Sequence, residues 1–308
     1  MIGTAPWQQE TALLNKSVKS IIQLNIPELK LASISQIGEG WDNTAWLING
    51  IWVFRFPKHK DAVKLLLNEI NLLPQLTQLQ PIQIPAPKYI ILFPKGFAYP
   101  FYAYPYLAGE TAERTALSES LRVQLAKPLG RFLKKLHSFP LAKAKSLNIK
   151  YDQLGRADVK KRLALTKPPL QYLADRQLID QPAMYLQYFE RFLDFDFPEH
   201  WVLGHGDFDA RHIVLDQNKQ LTAVLDWGNS ELLHAAVDLR VVYQFLPAQS
   251  HDTFWQAYGA VDETTRTLAK LCAIHSAVII AWYASEIADK DLLRESLGSL
   301  HLLKEHIE

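Results

Sequence analysis

A single cysteine, Cys272, occurs in 308 residues, so no intramolecular disulfide can form and covalent cross-linking does not hold the fold. Charge of one sign is lacking as well. The 33 basic and 32 acidic side chains leave a net +1 with neutral histidines, which removes the global electrostatic case for a nucleic-acid or anionic-membrane partner. No run reaches 18 consecutive apolar residues. The most apolar late stretch, 271–289, is interrupted by His275 and turns polar after Ser285, which predicts a buried or half-buried helix rather than a membrane span. The opening MIGTAPWQQE has neither the basic nor the apolar part of a secretory signal, and no internal repeat or low-complexity tract stands out. These absences point to a protein of the reducing cytoplasm, with neither nucleic acid nor membrane as partner. They leave the oligomeric state open.

What is present is core material. Hydrophobic residues make up 48% of the chain and charged ones 21%, enough for one large or two modest domains. The first half reads as sheet plus helix. After an opening helix over 12–24, Asn49-Gly50 separates two aromatic and β-branched runs, which predicts a tight hairpin with strands over 44–48 and 51–56. Alternation on the second strand sets Ile51, Val53 and Arg55 on one face and Trp52, Phe54 and Phe56 on the other. A helix over 61–73 follows, with Asp61 suited to its start and Leu65, Leu66, Glu69 and Leu72 on neighbouring turns. Glu69 can therefore face the hairpin. Further strands are expected at 88–93 and in FYAYP, and Pro105 and Gly109 release the chain, so a boundary is placed at Leu107. The second half, 108–308, reads as helix-rich, with a helix start or kink at Pro128 and helical stretches at 184–195 and 251–306.

Chemistry-bearing residues concentrate between 205 and 226, in HGDFDARHIVLDQNKQLTAVLDWG. His205, Asp207, Asp209 and His212 precede two short apolar runs joined by a polar turn. If 213–215 pair with 223–225, His212 and Asp226 emerge at the open end of that hairpin, close to the loop bearing Asp207. Such convergence suits phosphoryl transfer, in which positioning and charge stabilisation supply most of the catalysis. Asp207 can orient a hydroxyl and take its proton, or brace its loop by a hydrogen bond. Asp226 can bind a divalent cation, or cap its strand. His212 offers a metal-side or phosphate-side contact, although magnesium prefers oxygen to imidazole. Asp209 is functional, or else faces water or pairs with Arg211. His205 can brace the Asp207 loop through the backbone, or take part in the chemistry directly.

HGDFDARHIVLD followed by VLDWG resembles the signature of the aminoglycoside phosphotransferase and choline kinase-like family, a branch of the protein-kinase-like fold. The resemblance runs over about residues 34–290. It implies an α+β, two-lobed fold with a mainly antiparallel N-terminal sheet, a nucleotide-binding lobe over 1–107 and a helix-rich catalytic and acceptor lobe over 108–308. It places the base at Asp207 and a metal-binding aspartate at Asp226. His212 stands where the family commonly has asparagine, as in macrolide and some aminoglycoside branches. GWDNTAWLINGIWVFRFP resembles the nucleotide-covering hairpin, with Gly38, Gly40 and Asn43 near phosphates, or simply shaping a turn. Arg55 stands where many relatives carry lysine, with Glu69 as its brace, and either contacts phosphate or forms only a structural pair with Glu69. Tyr104 to Leu107, including Tyr106, resemble the connection whose backbone meets the nucleotide base, and Asp238 a structural aspartate that supports the catalytic loop.

Other features have plainer readings. Tyr258, Trp282, Tyr283 and Glu286 line an acceptor cleft or pack the core. His137 and His275 read as satisfied core histidines. Residues 143–167 carry eight basic and two acidic side chains, read as solvated helix faces or as an anion-recognition patch. The resulting expectation is a Mg2+-dependent small-molecule kinase that moves the γ-phosphate of ATP or GTP to a hydroxyl of an aminoglycoside, macrolide or other polar acceptor. The alternatives are a metal-dependent phosphohydrolase, built on the His205, Asp207, Asp209 and His212 set, and a catalytically weak nucleotide-binding interaction module.

Overall fold

The computed structural model describes residues 15–76, 79 and 81–307. It has two compact units. One comprises the described residues of Met1–Thr77 with Ile84–Ala108 and Asp226–Gly228. The other comprises those of Gln78–Gln83 with Gly109–Leu225 and Asn229–Glu308.

In the first unit, α1 (Asn15–Asn25) precedes β1 (Ile34–Glu39), β2 (Asn43–Ile48) and β3 (Trp52–Pro57), followed by α2 (Lys60–Leu72), β4 (Tyr89–Ile91) and β5 (Phe101–Pro105). The strands form one antiparallel sheet in the order β1-β2-β3-β5-β4. The hairpin turns at Asn49-Gly50 as expected, but Ile48 pairs with Trp52, so Asn49, Gly50 and Ile51 lie between the paired residues and β3 starts one residue later than expected. Asn49 (φ 56°) and Gly50 (φ 69°) take the left-handed conformation, and the Ile51 N–H closes the turn on Ile48 O at 3.0 Å. Alternation along β3 divides the core in two. Phe54 and Phe56 pack with Val18, Ile21 and Ile22 of α1, while Val53 packs with Leu66 of α2 and Tyr102 and Tyr104 of β5. The opening helix begins at Asn15 among the described residues; residues 12–14 of the expected span lie outside them. The start of α2 is capped by His59, whose Nδ1 accepts the Ala62 N–H, rather than by Asp61, which lies in the first turn.

In the second unit, β6 (Glu110–Thr111) leads to α3 (Glu119–His137), α4 (Leu141–Ser146), α5 (Val159–Asp175) and α6 (Pro182–Glu190). Then come β7 (Trp201–Gly204), β8 (Ile213–Leu215), β9 (Leu221–Val224) and β10 (Glu231–His234), and finally α7 (Ala236–Leu239), α8 (Val241–Phe245), α9 (His251–Tyr258), α10 (Glu263–Glu286) and α11 (Lys290–Ile307). α3 runs unbroken through Pro128. A proline forfeits one helical hydrogen bond, and the buried Leu125, Leu129, Phe132, Leu133 and Leu136 offset that loss. β8 and β9 form the expected antiparallel pair, with Ile213 opposite Val224. Asp216 Oδ1 closes the turn by accepting the N–H groups of Asn218 and Gln220. The apolar α10 holds an 18-residue window of mean hydropathy 1.4, 56% of it buried inside the protein.

Candidate active site

In the first unit, Arg55 on β3 and Glu69 on α2 meet because the strand turns Arg55 away from the aromatic layer toward the helix. Arg55 Nη1 lies 3.3 Å from Glu69 Oε1, and Nη2 lies 3.0 Å from Asp226 Oδ1. The guanidinium thus bridges two carboxylates far apart in sequence. Glu69 also accepts the Tyr102 hydroxyl at 3.0 Å and the Trp227 N–H at 2.9 Å. Burial pushes the Glu69 carboxyl up to about 7, and the neighbouring Asp226 adds to this, while Arg55 and both hydrogen bonds pull it down. For Arg55, burial works against the charge but Asp226 and Glu69 outweigh it, and the guanidinium stays protonated. Asp226 itself has φ 57°, a conformation that aspartate tolerates better than most side chains.

Among the described residues of this unit, two buried side-chain atoms have no hydrogen-bond partner, Arg55 Nε and Asn43 Oδ1. Gly38 lies at a register shift between β1 and β2. A Cβ at Gly38 or Gly40 would meet only ordinary contacts, at 3.6 and 3.8 Å, so nothing in the protein itself demands glycine at either. The Tyr104 ring is buried, and Tyr106 donates its backbone N–H to Ile51 O at 2.6 Å.

In the second unit, β7 delivers the chain to His205, and the loop beyond it is held from behind. The Asp238 carboxylate accepts the N–H groups of His205 (2.6 Å) and Gly206 (2.9 Å) and the Nε2–H of His137 (3.1 Å). Burial opposes the charge on Asp238, but His137, His205 and the backbone donors bring it down to about 2. His205 donates Nε2–H to Leu225 O at 2.9 Å and accepts the Asp207 N–H on Nδ1 at 3.3 Å. Burial and the nearby His212 push its pKa down. Asp238 and His205 therefore fix the backbone that presents Asp207.

The Asp207 carboxylate sits in an arginine network. Its Oδ1 accepts from Arg211 Nη2 at 3.0 Å and Arg240 Nη2 at 3.4 Å. Arg211 is fastened to the buried Asp209 through Nε (3.0 Å) and Nη2 (2.7 Å), so Asp209 takes the Arg211-paired alternative. Burial raises the pKa of Asp209, but Arg211, His212 and Arg240 outweigh it and hold the carboxyl well below its usual range. Sequence reasoning missed Arg240. A lone arginine inside the apolar run AAVDLRVVYQF was the available signal, since buried guanidinium groups need acceptors.

One oxygen or nitrogen from each of Asp207, Asp209 and His212 lie within 4.8 Å of one another. Both carboxylates already carry guanidinium groups, so the set is ill suited to a cation of its own. His212 donates Nδ1–H to Asp207 O at 2.7 Å, which puts the lone pair of the neutral ring on Nε2. A carboxylate at Asp226 fits the oxygen preference of Mg2+, and His212 can add at most a less favoured nitrogen. Asp207, Asp209 and His212 are thus brought together in one unit, and Arg55, Glu69 and Asp226 in the other.

The remaining candidates divide. Tyr258 is half-buried, packs on Phe254 and meets His137 Nδ1 at 2.8 Å, a packing role. Tyr172 hydrogen-bonds Glu286 and stacks edge-on with Trp282 at 6.5 Å. His275 is satisfied by Thr166 and Arg162. Within the basic segment, Arg156 pairs with Asp152 and Glu231, and Lys160 with Asp194, which is the pattern of structural and surface charge.

Comparison with known proteins gives the family and the fold. Residues 33–273 match the phosphotransferase enzyme family. Among solved structures, the GDP complex of wild-type aminoglycoside 2'-phosphotransferase-IIIa is similar at 25% identity and TM-score 0.70, covering 95% of this chain and 98% of that one. A GDP and kanamycin complex of an APH(2") enzyme is similar at 25% identity and TM-score 0.69, covering 94% and 97%. A macrolide 2'-phosphotransferase type I, at 18% identity, shares the fold with TM-score 0.63 over 94% and 98%. The chain therefore has a protein-kinase-like α+β fold, with an antiparallel N-terminal sheet and a helix-rich C-terminal region, and belongs to the phosphotransferase enzyme family.

Proposed function

We propose that this phosphotransferase is a small-molecule kinase of the cytoplasm that uses ATP or GTP and phosphorylates a hydroxyl of a polar acceptor of the aminoglycoside or macrolide class. The single observation that carries the assignment of the base is the mounting of Asp207. Its backbone is fixed by His205 and Asp238, and one carboxylate oxygen is held by two arginines. An acceptor hydroxyl at Oδ2 would give its proton to Asp207 as its oxygen bonds to the γ-phosphorus. The bond from that phosphorus to the β,γ-bridging oxygen breaks, and the nucleoside diphosphate leaves. Arg55, braced by Glu69, contacts the phosphates, with Gly38 and Gly40 permitting close backbone approach and Asn43 offering an amide contact. Tyr104 and Tyr106 lie in the segment that meets the base. Asp226, with His212, would hold Mg2+, whose charge offsets that of the phosphates. The nucleotide and acceptor complexes of the 25%-identical relatives support donor and acceptor classes of this kind.

The test is nucleotide turnover with Mg2+ over a panel of aminoglycosides and macrolides. Consumption should depend on an acceptor, and Asp207→Asn should lower kcat by roughly 10²–10⁴-fold with nucleotide affinity little changed. Equal turnover by the variant would defeat the base assignment. Phosphate release at one rate with or without acceptor would favour the phosphohydrolase reading, and tight nucleotide binding without transfer the interaction module.

A further inference from the structure

The turn from Glu39 to Asn43, between β1 and β2, carries two carboxylates, Glu39 and Asp42, in a segment that the proposed function sets against nucleotide phosphates. Like charges there would repel the ligand. Both acids are met by the two residues that follow β3. Lys58 is 7% exposed, and its Nζ lies 3.1 Å from Glu39 Oε1 and 3.4 Å from Gly40 O. Its backbone N–H donates to Asp42 O at 2.8 Å. His59 accepts the Ala62 N–H on Nδ1 and so directs an Nε2–H at Asp42 Oδ1, 3.3 Å away. The turn closes on itself through Gly40 N–H to Asn43 O at 2.9 Å. A lysine ammonium is costly to bury, and this one is placed against a half-exposed glutamate and a turn carbonyl.

We infer that Lys58 is a positioning residue for the nucleotide: it neutralises Glu39 and fastens the turn so that backbone, rather than carboxylate, faces the phosphates. This rests on the kinase reading of the same unit. The role is specific to phosphate, because Lys58 acts on the charge of the turn and not on the base or ribose. It also predicts that the charge of Glu39, once uncovered, is what harms binding.

Dissociation constants for ATP, GTP and the nucleosides adenosine and guanosine, measured by calorimetry on the full chain, test this. Lys58→Met should weaken the triphosphate that wild type binds by roughly tenfold, equivalent to about 1.4 kcal/mol, and leave the matching nucleoside unchanged. Lys58→Arg should bind near wild type, and the double variant Glu39→Gln/Lys58→Met should regain most of the loss. Near-native far-UV circular dichroism of each variant guards against misfolding. Triphosphate binding by Lys58→Met equal to wild type would overturn the inference and leave the kinase reading standing. Loss that Glu39→Gln fails to restore would also overturn it, pointing to direct contact between Lys58 and phosphate. No nucleotide binding by wild type would overturn the kinase reading and, with it, this inference.

Discussion

Arg240 and Arg211 both touch the Asp207 carboxylate, yet their loss should be felt differently. The Arg240 side chain is 6% exposed and lies within 3.8 Å of Asp209, itself 4% exposed. Removing one partner of a buried pair leaves an undercompensated charge, a loss of about 3 kcal/mol. Arg240→Met should therefore lower the urea midpoint markedly, and Asp209→Asn/Arg240→Met should recover part of it. Arg211 is 25% exposed, where water partly replaces a lost ion pair, so Arg211→Met should shift the midpoint less. Both variants should slow phosphotransfer more than they weaken nucleotide binding, because each frees the orientation of Asp207. A stability loss for Arg240→Met no larger than that for Arg211→Met would contradict the burial argument.

At the scale of elements, two glycines with positive φ separate turn chemistry from crowding. A Cβ at Gly50 (φ 69°) would meet nothing within 4 Å, so Gly50→Ala should cost only the backbone term, about 1 kcal/mol, without changing the register of β2 and β3. At Gly206 (φ 82°) a Cβ would lie 2.3 Å from Asn229 O, and the backbone there is held by Asp238. Gly206→Ala should displace the loop before Asp207 and abolish turnover, read as lost kcat in protein that still folds by circular dichroism. The same elements show what a sequence displays. The Asn49-Gly50 turn, the two faces of β3 and the β8/β9 pair follow from local rules of period two and turn residues, and all three were legible. Ends and caps were not. The strand expected over 88–93 spans only Tyr89–Ile91, and the helix expected over 184–195 runs Pro182–Glu190, because packing decides how far a local preference is carried. His59 caps α2 through an imidazole, which no simple capping rule anticipates.

Across the whole molecule, contacts between residues close in sequence were readable, whereas those joining distant segments were not. The facing of Arg55 and Glu69 followed from a strand face and a helix face. The reach of Arg55 to Asp226, 171 positions away, and of Arg240 to Asp207 required the folded chain. Stability against pH is a property at this scale too, and its sign can be worked out. His275 is pushed down to about 3 and His251 to about 4, chiefly by burial, with Arg162 and Arg240 adding repulsion at His275 and His306 at His251. His275 accepts from Arg162 on Nε2 and faces Thr166 through Nδ1, so a proton added at Nε2 would oppose a guanidinium. Below about 6.5 the unfolded chain protonates these histidines while the folded one does not, and the native state therefore loses stability as pH falls from 6.5 toward 4. Each histidine contributes at most about 1.4 kcal/mol per pH unit. Glu69 works in the opposite sense: raised to about 7, it keeps its proton in the folded state between about 4.5 and 7 while the unfolded chain gives it up, so acidification through that window favours the fold. His205, His234 and His306, lowered chiefly by burial, act in the same sense as the two histidines, and Glu113, raised by burial, acts with Glu69, so the histidines outnumber the glutamates and leave a net loss. Urea unfolding from pH 7 to 4.5 should show stability declining on acidification, with a shallower slope in His275→Gln and a steeper one in Glu69→Gln. Identical slopes in all three proteins would show that neither group titrates as its surroundings dictate.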